Sequence, residues 1–135
     1  MILIDYKDSR PIYEQVVEKL QELMILGVLE EDGQLPSVRT LALELSINPN
    51  TIQRAYGELE RQGFIYCIKG KGCFVGSINK IRSAKRHELV KRIDKIAAEA
   101  KSAAITREEF LDYAAKGYDK GGTENDTGSK PDETL

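Results

Sequence analysis

Apolar residues return at helical spacing in three stretches of the first half of the chain. Ile12, Val16, Leu20, Leu23 and Met24 recur at intervals of three and four, which predicts an amphipathic helix over about residues 11–26. Pro11 sits at a favoured first-turn position with Ser9 nearby as a candidate cap, and Gly27 is placed to end the helix. After a loop at 30–35, Val38, Leu41, Ala42 and Leu45 line one face of a short helix over 37–45, with Ser37 as its cap. Ile52, Ala55, Tyr56 and Leu59 make the third face, which Gly63 ends. Pro49 lies at the head of that stretch and reads as a start signal. Asn48 is a good N-cap, and a proline at the first helical position loses nothing by lacking an N–H.

The period then changes. Residues 64–68, FIYCI, and 73–75, CFV, are β-rich runs on either side of KGKG at 69–72, the pattern of a β-hairpin with lysines at its tip. From 78 the spacing is helical again: Ile78, Ile81, Leu89, Ile93, Ile96, Ala100 and Ala103 form a long stripe. Thr106 with Glu109 is a capping box, opening a last helix with Phe110, Leu111, Tyr113 and Ala114. Residues 119–135 are Gly-rich, acidic and poor in apolar side chains, and are expected to be a disordered tail. The run ILIDY at 2–6 reads as a strand or an extended arm. The expected class is mainly α with a small β-hairpin: residues 1–76 one domain, 77–118 a helical region, 119–135 a tail.

Three helices and a hairpin, with a short second helix and a tight turn into the third, describe a winged helix-turn-helix. In such motifs the second helix of the pair enters the DNA major groove by its N-terminal end. That accounts for the polar start of the third helix. Asn50 and Thr51 are small enough for the helix start to approach phosphates, while Gln53 and Arg54 are long enough to reach base edges. Both stay open as the base reader. Ser37 and Arg39 are placed to grip backbone phosphates, and Lys71 suits a wing that touches phosphate or the minor groove.

Net charge alone argues otherwise, at −2. Its distribution restores the DNA reading. Residues 33–76 carry 5 Lys/Arg against 3 Asp/Glu, and 77–118 carry 10 against 6, while acids gather at Glu14, Glu18, Glu22, Glu30, Glu31 and Asp32 and in the tail. Local charge at the contact face matters more to DNA binding than the total.

Other chemistry finds little support. Cys67, Cys73 and His87 are the only cysteines and histidine, a poor match to a four-ligand zinc site, and no catalytic arrangement can be assembled from them. No phosphate-binding glycine loop is present. The chain is expected to be no enzyme and to hold no metal or cofactor. The start MILIDYKDSR lacks the regions of a signal peptide, and no apolar run spans a bilayer. A cytoplasmic protein without a membrane partner is expected. Cys67 and Cys73 bracket the hairpin turn roughly opposite one another; reduced thiols are the favoured reading, with a redox switch as the alternative, for which disulfide geometry is demanding. The basic group Lys80, Arg82, Lys85 and Arg86 reads first as a solvated helix face.

Residues 35–75, LPSVRTLALELSINPNTIQRAYGELERQGFIYCIKGKGCFV, resemble the DNA-binding domain of the GntR family of bacterial transcription regulators, and the likeness extends back through PIYEQVVEKLQELMILG at 11–27. PIYEQ, NPNT and the short two-helix tail look like its YtrA subfamily. The resemblance implies phosphate or base contacts at Ser37, Arg39, Asn50, Thr51 and Gly72. It places at Gln53 a position that is often a base-reading arginine in the wider family. It also implies control of a nearby transporter operon. The stripe through Leu89, Ile93, Ile96 and Ala100 is too long to be covered by its own domain. It reads as a dimerisation face, in keeping with the subfamily resemblance, and a two-fold dimer matches a palindromic operator. The expected function is that of a homodimeric repressor on double-stranded DNA; no small-molecule effector is legible. A second reading, a winged helix that docks proteins without a specific DNA target, draws on the acidic first helix.

Overall fold

The computed structural model describes residues 4–127, and side chains as far as 121. Five helices and one hairpin follow in order: α1 (Ile12–Ile25), α2 (Val38–Leu45), α3 (Pro49–Arg61), β1 (Ile65–Ile68), β2 (Gly72–Val75), α4 (Ile78–Ser102) and α5 (Arg107–Thr127). The fold is that of a winged helix-turn-helix with a helical C-terminal region. The chain divides into two compact units between His87 and Glu88.

The first unit is built on the apolar faces that the spacing marks. Val16, Leu20 and Met24 of α1, Leu41 and Ala42 of α2, and Ile52, Ala55, Tyr56 and Leu59 of α3 are buried together. Each large aliphatic side chain removed from water there contributes roughly 1.5–3 kcal/mol. Ile81 joins this core and Ile78 packs against it, so the first unit takes in the opening turns of α4. The stripe from Ile78 to Ala103 is therefore divided: its first two members belong to the core.

Helix ends follow local chemistry. Gly27 adopts φ +82° after α1, and the Val28 N–H reaches back to the Leu23 carbonyl at 2.9 Å. Ser9 does not cap α1. Pro11 is the N-cap residue and no side chain bonds there, since Ser9 lies two residues too early. Instead the buried Gln15 amide pairs with the Asp5 backbone, accepting from its N–H and donating to its carbonyl, both at 2.9 Å. This pairing holds residues 4–10 as turns rather than a strand; residues 2 and 3 of the expected arm lie outside the described residues.

The hairpin is antiparallel, pairing Ile65 with Val75, Tyr66 with Phe74, Cys67 with Cys73 and Ile68 with Gly72. The segment expected as a plain loop at 30–35 lines the other edge of β2. Asp32 donates to the Val75 carbonyl at 2.8 Å, Val75 to Gly33 at 2.9 Å, and Leu35 to Cys73 at 2.8 Å. One expectation is overturned: Cys67 and Cys73 are joined as a disulfide, not held as two thiols, because the register sets them directly opposite one another.

In the second unit, α4 and α5 are separated by a turn with Ala104 at φ +64°. The capping box forms: the Glu109 carboxylate accepts the Thr106 N–H at 2.9 Å, and the Thr106 hydroxyl accepts the Glu109 N–H at 3.1 Å. The helix α5 runs from Arg107 to Thr127. Residues 128–135 of the expected tail lie outside the described residues.

Candidate nucleic-acid interface

The start of α3 is fixed by two neighbouring residues. The Asn48 side chain accepts the Asn50 N–H at 2.8 Å, and Pro49 occupies the first helical position. The Thr51 N–H bonds the Asn48 carbonyl at 2.9 Å. These two amides are engaged in the cap, so a phosphate here would meet side chains and the positive helix end rather than free backbone donors.

The inward face of α3 sets its angle. The Tyr56 hydroxyl donates to the Pro36 carbonyl at 2.7 Å, tying α3 to the entrance of α2. Burial, then the Glu44 charge, pushes this phenol up to about 12, so it remains a hydrogen-bond donor. With Ile52, Ala55, Tyr56 and Leu59 turned inward, Asn50, Gln53, Arg54 and Gly57 are left exposed and Thr51 half-buried. Gln53 and Arg54 then differ. The Arg54 guanidinium carbon lies 3.9 Å from the centre of the half-buried Tyr13 ring on α1, a cation–π contact between helices.

Ser37 and Arg39 are exposed at the start of α2. The Ser37 hydroxyl is already engaged: it accepts the Thr40 N–H at 3.1 Å and donates to the Thr40 hydroxyl at 2.8 Å. Thr40 is itself exposed and is a further candidate on this edge, one that the Ser-x-x-Thr spacing points to.

On the wing, Lys69 and Lys71 are exposed at a tip shaped by Gly70 at φ +80° and Gly72 at φ +119°. The Gln34 amide donates to the Lys71 carbonyl at 2.9 Å, and a Cβ at Gly72 would come within 2.6 Å of the same nitrogen. Gly72 thus has a conformational reason to be glycine, apart from any contact with DNA. Gln34 is too distant in sequence to be found from spacing. Of the basic group after the wing, Arg82 donates to the Ile25 carbonyl at 2.9 Å and Lys85 approaches the Gln21 amide oxygen at 3.5 Å, so two of the four lysines and arginines fasten α4 to α1.

In the second unit, Leu89, Ile93 and Ile96 of α4 line an apolar groove of about 480 Å³ with Arg92, Phe110, Tyr113 and Ala114. Ile93 and Ile96 remain more than half exposed, at 58% and 54%. Ala100, by contrast, is buried. Among the described residues no cluster of His, Cys, Asp or Glu could hold a metal ion, and no helix is long and apolar enough to cross a membrane.

Core, caps, exposed polar helix start and basic-tipped hairpin together define a protein of the winged helix-turn-helix class. Residues 12–75 match the bacterial regulatory proteins of the gntR family. The chain is 34% identical over 130 residues to the HTH-type transcriptional repressor YtrA of Bacillus subtilis, covering 93% of this chain and all of that one. Similar solved structures include a GntR family transcriptional regulator from Listeria monocytogenes, with TM-score 0.70, 33% identity and coverage of 81% of this chain and 96% of that one, and the GntR-family transcription factor YtrA from Sulfolobus acidocaldarius, with TM-score 0.54, 34% identity and coverage of 66% and 97%. The chain belongs to the GntR family of DNA-binding transcription regulators, and its likeness is to the YtrA subfamily.

Proposed function

We propose that the protein is a homodimeric repressor that binds a palindromic operator, each copy placing α3 in the major groove and the β1–β2 wing beside it. The observation that carries this is the start of α3, capped by Asn48, angled by the Tyr56–Pro36 bond, and left with an exposed polar set. Within that set we assign base reading to Gln53. Its side chain is exposed, and a glutamine pairs in bidentate fashion with adenine. Arg54 braces α3 against Tyr13. Arg39, Thr51, Asn50 and Lys71 supply phosphate contacts, with Ser37 presenting Thr40 and Gly72 shaping the wing tip.

Dimerisation is assigned to Leu89, Ile93 and Ile96, whose apolar face is open in the single chain; Ala100 supports it from within. Control of a transporter operon rests on the subfamily resemblance. A cytoplasmic location follows from work on DNA. Titrating operator DNA against Arg39→Ala tests the reading. A loss of about tenfold at moderate salt is expected for one phosphate contact, and unchanged affinity would contradict it.

The rival reading, a docking module for proteins, is favoured by the acids of α1. Two of these are partly answered within the chain, Glu18 by Arg10 at 3.0 Å and Glu22 by Lys19 at 3.8 Å. A steep fall of DNA affinity with salt separates the two, because phosphate contacts release counterions.

A further inference from the structure

The operator reading makes no use of the disulfide in the wing. Cys67 and Cys73 face each other across the β1–β2 ladder. Because the Cys73 carbonyl accepts from Leu35 on the other edge of β2, it points away from β1. The cysteines are thus a non-hydrogen-bonded pair, the kind that brings opposite residues closest; their Cα atoms are 4.0 Å apart. The crosslink closes the tip that carries Lys69 and Lys71. Cys67 is exposed, while Cys73 is half-buried against the core, so small reagents reach the crosslink from the Cys67 side.

We propose that Cys67 and Cys73 form a thiol-modification site through which a low-molecular-weight thiol/disulfide couple sets the affinity of the wing for DNA; this rests on the operator reading. Disulfides are rare where DNA-binding regulators work, and those that form there are commonly redox-sensing. The exchange is a balanced two-electron reaction. A small thiolate attacks Sγ of Cys67 and forms a mixed disulfide, releasing Cys73 as a thiolate that takes up a proton. A second small thiolate attacks the small-molecule sulfur of that mixed disulfide. Cys67 leaves as a thiolate and is protonated, and the two small thiols depart as their disulfide. Oxidation runs the same steps backwards.

Reduction does not dismantle the hairpin. The Ile65–Val75 and Tyr66–Phe74 pairs remain, with the Tyr66 and Phe74 rings stacked at 5.6 Å and the Tyr66 hydroxyl donating to Asp32 at 2.7 Å. On this proposal the tip beyond the cysteines loses its covalent restraint and is left with the Ile68–Gly72 pair and the Gln34 bond to the Lys71 carbonyl. An oxidised wing presents its lysines already ordered, so it loses less freedom on binding.

The test holds the full chain in glutathione buffers of stepped reduced-to-oxidised ratio. It counts free thiols and measures affinity for a footprinted operator and for a scrambled duplex. Two thiols appear on reduction, and operator affinity falls by about three- to tenfold, the scale of ordering a few side chains. The double variant C67S/C73S, checked for folding by circular dichroism, binds as the reduced protein does at every ratio. Equal operator affinity in the two states of the unmutated chain, with the thiol count confirming both, overturns the redox proposal and leaves operator binding intact. A thiol count that stays at two in every buffer also overturns it. Absence of operator preference in both states overturns the operator reading, and redox control with it.

Discussion

Arg54 lies with its guanidinium carbon 3.9 Å from the centre of the Tyr13 ring, so of two exposed neighbours on α3 it is Arg54, not Gln53, that is braced on α1. This relationship separates two adjacent long polar residues that spacing alone treats alike. Gln53→Ala is expected to relax discrimination at one operator position by about 1–3 kcal/mol, the scale of a bidentate base contact. Arg54→Ala is expected to lower stability by about 0.5–1 kcal/mol through the lost cation–π contact while leaving the order of preferred bases unchanged. Binding to a panel of single-base operator variants, alongside urea melts, checks both. A changed base preference in Arg54→Ala with none in Gln53→Ala would reverse the assignment.

The bond from the Tyr56 hydroxyl to the Pro36 carbonyl predicts a selective effect. Tyr56→Phe keeps the buried ring and removes only the donor. Stability should fall by about 1 kcal/mol. Operator affinity should fall as well, because the angle between α2 and α3 loses one restraint. Urea denaturation and operator titration on the same preparation read the two effects.

Acid should weaken the N-terminal turn. The Arg10 guanidinium holds the Asp8 and Glu18 carboxyls below the usual carboxylate range. Groups with lowered folded-state values stabilise the fold above their unfolded values, and that contribution is lost as pH falls through the folded ones. It is therefore complete above about pH 5 and disappears as pH drops below about 4. Arg10→Met should melt lower than the unmutated chain at pH 7, with the difference shrinking towards pH 3. A difference that grows on acidification would contradict this.

The open apolar face of the second unit predicts an assembly. Ile93→Asp sets a charge among Leu89, Ile96, Phe110 and Tyr113, which a solvated monomer tolerates and a buried interface does not. Sedimentation is expected to show a dimer for the unmutated chain and a monomer for Ile93→Asp, with weakened operator binding because the two half-sites are no longer linked.

Much of the fold is legible because its signals are local. Asn48 and Pro49 announce the start of α3, Thr106 and Glu109 that of α5, and two β-rich runs around KGKG give the hairpin. Contacts between distant segments carry no such mark. The strip from Asp32 to Leu35 joins the far edge of β2, and Ile81 of α4 enters the core of the first unit. The pairing of Tyr13 with Arg54 spans two helices that no repeat connects. The disulfide stands between these cases. The hairpin pattern brings Cys67 and Cys73 roughly opposite, but closure depends on a register that only the bonded ladder fixes.

Footprinting on the DNA upstream of the protein's own gene is expected to show protection of two half-sites related by two-fold symmetry, with centres about 34–36 Å apart or a multiple of that, weakened by Arg39→Ala. No protected site at concentrations that coat non-specific DNA, or a single asymmetric site indifferent to Arg39→Ala, would contradict it.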